Sequence, residues 1–224
     1  LGRQEGMAGH YGNLGLIYRT RGELNRAEEM HKKALAIEEK LGRQEGMASG
    51  YAGLGLVYQT RGELDRAEEM YKKALASDEK LGRQEGMAGH YGNLGLIYRT
   101  RGELDRAEGM HKKALAIEEK LGRQEGMARQ HANLGNIYQT RGELDRAEEM
   151  HKKALAIDEK LGRQEGTASN YGNLGLLYRT RGELDRAEEM YRKSLALFKA
   201  VGAAPQVKQV QAWLDSLNES RAER

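Results

Sequence analysis

One asparagine recurs at a fixed place in the sequence, at intervals of 40 or 80 residues. Its positions are Asn13, Asn93, Asn133 and Asn173, and Gly53 interrupts the row. An asparagine side chain carries both a donor and an acceptor, so it can match the N–H and C=O groups of an extended peptide backbone. Each such bond contributes only about 0.5–1.5 kcal/mol, so affinity would need several of them. We therefore predict an asparagine ladder along a bound peptide; the alternative is that each amide bonds within its own turn or between repeats.

Two further rows of residues share this period. An apolar row follows three positions after the asparagines and predicts a contact surface, with burial against the next repeat as the alternative. Six positions after the asparagines, arginine alternates with glutamine, which predicts a grip on acidic ligand side chains, with a solvated helix end as the alternative. The first row is Leu16, Leu56, Leu96, Asn136 and Leu176. The second row is Arg19, Gln59, Arg99, Gln139 and Arg179.

Catalytic and metal-binding chemistry is not indicated. The chain has no cysteine, which excludes disulfides, thiolate metal sites and cysteine nucleophiles. His31, His111 and His151 recur at one place, and no two of them lie at i, i+4 on one helix, so we expect them to pack between helices. The carboxylates are expected on solvated helix faces, and no nucleophile, base and oxyanion donor occur together. We expect a protein that is not an enzyme and has no cofactor and no metal. Three other histidines are expected beside the ligand surface: His10, His90 and His131.

Composition excludes several classes of partner. The 37 basic and 34 acidic residues give a net charge of +3 and are interspersed along the 224 residues, which is typical of a solvated surface and argues against nucleic-acid binding. Apolar runs such as residues 14–18 are far too short to span a bilayer, and there is no signal-peptide pattern. We expect a cytoplasmic protein with no nucleic-acid and no membrane partner.

The chain is built from five near-identical repeats of 40 residues. Each opens with LGRQEG, and together they fill residues 1–200, as 1–40, 41–80, 81–120, 121–160 and 161–200. A fixed period of this length is typical of architectures in which each repeat packs only on its neighbours. The remaining residues, 201–224, differ in sequence and form a separate C-terminal segment.

Each repeat contains the pattern of two helices. In the first repeat, Met7, Tyr11, Leu14 and Tyr18 are spaced as the buried stripe of an amphipathic helix from about Gln4 to Arg21. Gly22 is expected to end it in a left-handed conformation. A second helix should start near Leu24 and end at Gly42, with one stripe buried. That stripe is Ala27, Met30, Ala34, Ile37 and Leu41. Small residues such as Gly12 and Gly15 are expected to let a neighbouring helix approach closely.

These patterns predict an all-α fold, an α-solenoid of five helix-turn-helix repeats with a C-terminal capping helix. In residues 201–224, Pro205 is placed to start that helix, and the polar NESRAER is expected to trail out. Its apolar face is Val207, Val210, Trp213, Leu214 and Leu217. The sequence opens within the repeated pattern without a methionine, so we expect a processed piece of a longer protein. The exposed first helix could then stack on a missing upstream repeat or on another copy of the chain.

The stretch NLGLIYRTRGELNRAEEMHKKALAIEEK, Asn13 to Lys40, resembles the tetratricopeptide repeat. Its matching positions are Leu14, Gly15, Tyr18, Gly22, Ala27 and Ala34. The resemblance covers all five repeats, about 200 of 224 residues. The 40-residue period, with Glu39 where the common repeat has proline, is similar to the long-repeat branch that includes Pins-type adaptors and kinesin light chains.

The resemblance implies that the α-solenoid forms a right-handed superhelix, and it implies a function as well. Those long-repeat relatives bind extended peptides along a concave surface lined by the first helix of each repeat, and an asparagine at this place contacts the ligand backbone. It therefore implies a non-catalytic scaffold that binds an extended or helical segment of a protein or peptide ligand. Members that bind chaperone tails need lysine at the position of Gly12 and asparagine at the position of Leu16. Apart from Asn136, this chain has neither, so no such binding is expected. The alternatives are a self-assembling module, joined through its exposed N-terminal end, and a ligand-sensing regulatory arm of a larger signalling protein.

Overall fold

A computed structural model describes the backbone of residues 2–222 and the side chains of residues 2–217 and 219. Over this range the chain forms eleven α-helices and no strand. The helices are α1 (Gly2–Thr20), α2 (Leu24–Leu41), α3 (Gln44–Thr60), α4 (Leu64–Leu81), α5 (Gln84–Thr100), α6 (Leu104–Lys120), α7 (Gln124–Thr140), α8 (Leu144–Lys160), α9 (Gln164–Thr180), α10 (Leu184–Ala200) and α11 (Ala204–Ala222). The prediction of an all-α chain of consecutive helix-turn-helix pairs is confirmed. None of the described helices is long and apolar enough to cross a membrane.

Glycine ends both helices of the first repeat, as predicted. Gly22 has φ +77° and Gly42 has φ +68°, both in the left-handed region. After α1, the amide of Glu23 donates to the carbonyl of Tyr18 at 2.9 Å, and the amide of Gly22 donates to Arg19 at 3.0 Å. These two bonds form a Schellman motif, which satisfies carbonyls that the helix end would leave unpaired. The chain reverses within three residues, so the two helices of a repeat pack side by side.

The chain forms two compact bodies, one up to Ile117 and one from Glu118 onward. In the first body, Ala27, Leu54 and Val57 have 0%, 3% and 0% of their surface exposed. The predicted stripe of α2 is buried at Ala27 and Ala34 and half-buried at the other three positions.

The predicted buried stripe of α1 is wrong in the first repeat. Met7 and Leu14 are 43% and 38% exposed, whereas Leu54, the counterpart of Leu14, is buried. Leu54 lies on α3, which packs against α1 and α2. In the described part of the chain, no helix packs on the equivalent face of α1, so identical residues remain exposed there.

The glycine at position 15 of each repeat makes room for a ring of the second helix. A Cβ on Gly15 would lie 2.7 Å from the ring of His31, and a Cβ on Gly55 would lie 2.8 Å from Tyr71. His31, His111 and His151 are buried, at 7%, 0% and 0% exposure. The histidines therefore pack between helices, as expected. Gly12 differs, because a Cβ there would meet nothing within 4 Å, so no packing contact requires it.

A clamp formed by one glutamate with a tyrosine and an arginine of the next repeat joins successive repeats. Glu28 accepts hydrogen bonds from the Tyr58 hydroxyl, at 2.9 Å, and from the Arg61 guanidinium. Burial opposes its ionisation, but hydrogen bonds from Lys32, Arg61 and Tyr58 outweigh this and lower the pKa of Glu28 to about 2. Burial and the bond to Glu28 raise the pKa of Tyr58 to about 12. The clamp recurs as Glu68 with Tyr98 and Arg101, and as Glu148 with Tyr178 and Arg181.

Helix α11 packs on α10 through the predicted apolar face. Val210, Leu214 and Leu217 are 1%, 7% and 0% exposed. The Trp213 ring lies 5.5 Å from the Tyr191 ring, between centroids. Helix α11 continues to Ala222, so residues 218–222 are helical rather than a trailing tail, and residues 223–224 lie outside the described part.

Candidate ligand-binding surface

The first helix of each repeat carries the asparagine row. Asn13 is exposed on α1, and Asn93, Asn133 and Asn173 are half-buried on α5, α7 and α9. Within the described residues, none of the four side-chain amides has a protein hydrogen-bond partner. Each therefore keeps two donor hydrogens and an acceptor oxygen available to a ligand.

In the first body, members of all three predicted rows line one cavity. It has a volume of about 470 Å³, within the usual range of a ligand pocket, and lies against α1, α2 and α3. Its walls include Asn13, Leu16, Arg19 and Leu56. Leu16 is 48% exposed. An amide, two leucines and a guanidinium thus face the same space.

In the second body, Asn173 and Leu176 line a smaller cavity of about 260 Å³. The remaining walls come partly from α11, through Val210 and Trp213. The sequence predicts only a capping role for these two residues. The repeat pattern gives no signal that these residues could contact a ligand, because α11 lies outside it.

The other predicted residues differ in how available they are. Leu96 and Asn136 are half-buried, and so are Arg99 and Gln139, whereas Arg179 is exposed. Gln59 is already engaged, because its side-chain oxygen accepts a hydrogen bond from the Tyr71 hydroxyl at 2.8 Å. Arg19, which lines the larger cavity, has a buried Nε–H group without a hydrogen-bond partner in the described part of the chain.

The gap in the asparagine row is filled by packing. A Cβ on Gly53 would lie 2.5 Å from the His31 ring, and one on Gly15 would lie 2.7 Å from it. The ring thus lies between α1 and α3 against two glycines. Burial, assisted by the charge of Arg19, lowers the pKa of His31 and keeps the ring neutral near pH 7.

A row of buried carboxylates was not predicted. The expectation that carboxylates lie on solvated faces is wrong at position 38 of the first four repeats. The four are Glu38, Asp78, Glu118 and Asp158, with exposures of 7%, 2%, 1% and 4%. Each lies over a glycine of the next repeat, in space that a Cβ would fill. These glycines are Gly46, Gly86, Gly126 and Gly166. The signal was present in the sequence, because each carboxylate precedes an invariant glycine by eight residues.

Two of these four carboxylates have a donor twelve residues further along. Asp78 Oδ2 lies 3.0 Å from His90 Nε2, and the Asn170 amide donates to Asp158 Oδ2 at 2.9 Å. The expectation that His90 and His131 contact ligand is wrong, since both are buried; His10 is exposed. Burial lowers the pKa of His90, although Asp78 opposes this. Burial raises the pKa of Asp158, although Arg163 and Asn170 oppose it.

No grouping of three or more histidine or carboxylate side chains in the described part could hold a metal ion. Within each body, the cavities described above instead present an asparagine amide and leucine side chains, joined in the first body by the guanidinium of Arg19. Such a surface can hydrogen-bond a peptide backbone and hold its side chains.

A family model described as a MalT-like tetratricopeptide repeat region matches residues 6–154, and one described as the tetratricopeptide repeat matches residues 127–200. The chain belongs to the tetratricopeptide repeat family. Tetratricopeptide repeats generally mediate protein–protein interaction and are typically non-catalytic scaffolds. The comparison with curated protein sequences gives no match.

Solved structures share the fold. A putative kinesin light chain from Podospora anserina, with nearly identical repeats, is 22% identical, with 87% of this chain and 95% of that chain covered and a TM-score of 0.71. Pseudomonas aeruginosa pilF is 24% identical, with 99% of both chains covered and a TM-score of 0.70. A Pyrococcus horikoshii signal-transduction ATPase with a tetratricopeptide repeat sensor is 18% identical, with 97% of this chain and 34% of that chain covered and a TM-score of 0.83. At these identities the likeness concerns the fold alone.

Proposed function

We propose that this chain is a non-catalytic scaffold that binds an extended or helical segment of another protein on the surface formed by the first helix of each repeat. The observation that carries the proposal is the set of four asparagine amides with no hydrogen-bond partner in the described chain. Because these amides are exposed or half-buried, a ligand would replace water at each of them, at a net gain of about 0.5–1.5 kcal/mol per bond.

The spacing of the repeats suits an extended peptide. Neighbouring helix axes lie about 8–10 Å apart and a strand advances about 3.3 Å per residue, so each repeat would meet about three ligand residues. The amides would bond the ligand backbone. The leucine row, from Leu16 to Leu176, would take apolar side chains, and Arg19, Arg99 and Arg179 would pair with acidic ones.

The test uses peptides selected on the chain from a random 12-residue library. Replacing Asn13, Asn93, Asn133 and Asn173 by alanine should weaken the selected peptides by about 30-fold or more in calorimetry, which corresponds to about 0.5 kcal/mol per amide. The matched control replaces four exposed carboxylates of the second helices, Glu29, Glu69, Glu149 and Glu189, and should leave affinity unchanged. Equal affinity of the asparagine variant and the parent chain would refute the proposal.

Self-association is a second candidate, favoured by one observation. Met7, Leu14 and Ile17 form an apolar face of α1 with exposures of 43%, 38% and 44%. A second copy could cover this face with its own α1 in a two-fold pair, the commonest symmetry of homodimers. Sedimentation velocity from micromolar to millimolar concentration tests this. Dimers that disappear in a Leu14→Lys, Ile17→Lys variant would support it, and a monomer throughout would exclude it.

A further inference from the structure

The first of the buried carboxylates, Glu38, differs from the other three. It is 7% exposed, yet neither of its oxygens has a hydrogen bond within the described chain, and Oε2 is fully enclosed without a partner. Among the described residues, the ionic neighbour of Glu38 is Arg43, whose Nε lies 3.6 Å from Oε2. That separation is too long for a hydrogen bond. Arg43 also pairs with Glu5, at 3.0 Å, so its charge is shared.

The later repeats show what this carboxylate accepts when a donor is supplied. Asp78 is met by His90, and Asp158 is met by Asn170, each twelve residues after the carboxylate. In the fifth repeat the carboxylate is replaced by Phe198, and the residue twelve positions later is Val210; both are buried. The two positions therefore match each other in polarity. Only after Glu38 is the matching residue a glycine, Gly50, which has no side chain to offer.

Open space lies beside Glu38, although not at Gly50 itself, where an added Cβ would lie 3.1 Å from the Leu35 Cβ. The cavity of about 470 Å³ is lined by Glu38 together with Gly46, Gly50 and Gly53. A buried carboxylate with no partner is destabilising, whereas a charged N–H donor forms a short, strong bond with it. The cavity thus combines an unmet acceptor with room for a long side chain.

We propose that Glu38 receives a cationic side chain, lysine or arginine, of the bound peptide, which enters the cavity beside α1 and α3 and replaces the donor that His90 and Asn170 supply in later repeats. This inference rests on the proposed peptide-binding surface and adds a specificity to it. The ammonium or guanidinium group hydrogen-bonds the Glu38 carboxylate, and its aliphatic stem packs along Leu16 and Leu56. The first body therefore selects ligands with a basic residue at this place.

The test uses four short peptides, acetyl-Ala-Ala-X-Ala-Ala-amide, in which X is arginine, lysine, methionine or glutamate. Chemical shifts of the Gly46 and Gly50 amides are followed in ¹⁵N spectra of the full chain. The arginine or lysine peptide should shift these signals saturably, with at least tenfold tighter binding than the methionine and glutamate peptides. Equal shifts with the methionine peptide would overturn the proposal.

Two variants connect the binding to Glu38. Glu38→Gln removes the charge and keeps the size of the side chain. Gly50→His supplies a donor from within, as His90 does for Asp78, but Leu35 must shift to admit it, because the new Cβ would lie 3.1 Å from the Leu35 Cβ. Each variant should weaken the basic peptides by at least tenfold. Gly89→His adds a histidine where a Cβ meets nothing within 4 Å and should leave binding unchanged. Basic-peptide binding that both Glu38→Gln and Gly50→His retain would refute this inference.

The two proposals fail separately. If the asparagine variant binds the selected peptides more weakly while binding of the basic peptides does not depend on Glu38, only the inference about Glu38 is refuted. If basic peptides depend on Glu38 while the selected peptides ignore the asparagines, the ladder falls and the cationic site remains.

Discussion

The Asp78 carboxylate lies directly over Gly86, in the space that a Cβ would occupy. The two residues belong to successive repeats, on α4 and α5, so this contact joins neighbouring repeats. It gives a physical reason for the glycine of LGRQEG in repeats two to five, because a side chain there would displace a buried acidic group from its position. A Cβ on Gly6, in the first repeat, would meet nothing within 4 Å among the described residues.

This contact predicts opposite effects for two glycines of α5. Gly86→Ala should destabilise the chain by about 1–3 kcal/mol, because the methyl group overlaps the carboxylate. Gly89→Ala should stabilise it by about 0.5–1 kcal/mol, because a Cβ there meets nothing and alanine favours a helix. Urea unfolding of both variants measures the difference. Equal effects would show that Asp78 does not occupy the space over Gly86.

The clamp between repeats predicts unequal roles for two neighbouring glutamates. The Glu68 side chain is 13% exposed and is bonded by Tyr98 and Arg101, whereas that of Glu69 is 58% exposed and pairs only with Lys73. Glu68→Ala should cost about 1–3 kcal/mol, because Tyr98 loses its acceptor while Arg101 keeps the exposed Asp65 at 2.6 Å and Glu103 at 3.6 Å. Glu69→Ala should cost less than about 1 kcal/mol. Denaturant unfolding at pH 7 compares them, and a small loss for Glu68→Ala would contradict the clamp.

The buried imidazole of His151 predicts a loss of stability in acid. It is 0% exposed, neither nitrogen has a partner, and burial lowers its pKa to about 4. Between pH 6.5 and about pH 4, the His151 side chain binds a proton in the unfolded chain but stays neutral in the folded chain. The free energy of unfolding should therefore fall as pH drops from about 6.5 to 4, by up to about 3 kcal/mol from this residue.

A tyrosine graft isolates that contribution. Repeat two already has Tyr71 bonded to Gln59, and Gln139 stands at the equivalent place beside His151. In a His151→Tyr variant the unfolding free energy should decline less between pH 6.5 and 4 than in the parent chain. Parallel curves for the two proteins would show that His151 is not the source of the acid sensitivity.

Much of the fold could be predicted because its signals are local. Gly22 and Gly42 each end a helix in a left-handed conformation that depends only on residues nearby in the sequence. The 40-residue period then allows each helix assignment to be repeated in the next repeat. Burial is different. Leu14 and Leu54 share almost the same local sequence, yet one is 38% exposed and the other 3%, because a neighbouring repeat covers only Leu54.

The candidate site was predicted in part for the same reason. The position of Asn13 and Leu16 on one helix face follows from helical spacing, and both line the same cavity. The burial of Glu38 does not follow from spacing, because a charged residue near a helix end is normally solvated. Its enclosure arises from contact with the next repeat, where Gly46 leaves room for it.

The central claim is that the asparagine amides of the first helices are free to bond a ligand. The direct measurement follows the side-chain NH₂ resonances of Asn93, Asn133 and Asn173 during titration with a selected peptide. Asn170 is an internal control on α9, since the residue is 2% exposed and its side-chain amide already donates to Asp158. We predict that the NH₂ resonances of Asn93, Asn133 and Asn173 shift saturably and in parallel, while the Asn170 resonance does not move. Peptide binding that leaves the ladder resonances unmoved would contradict it.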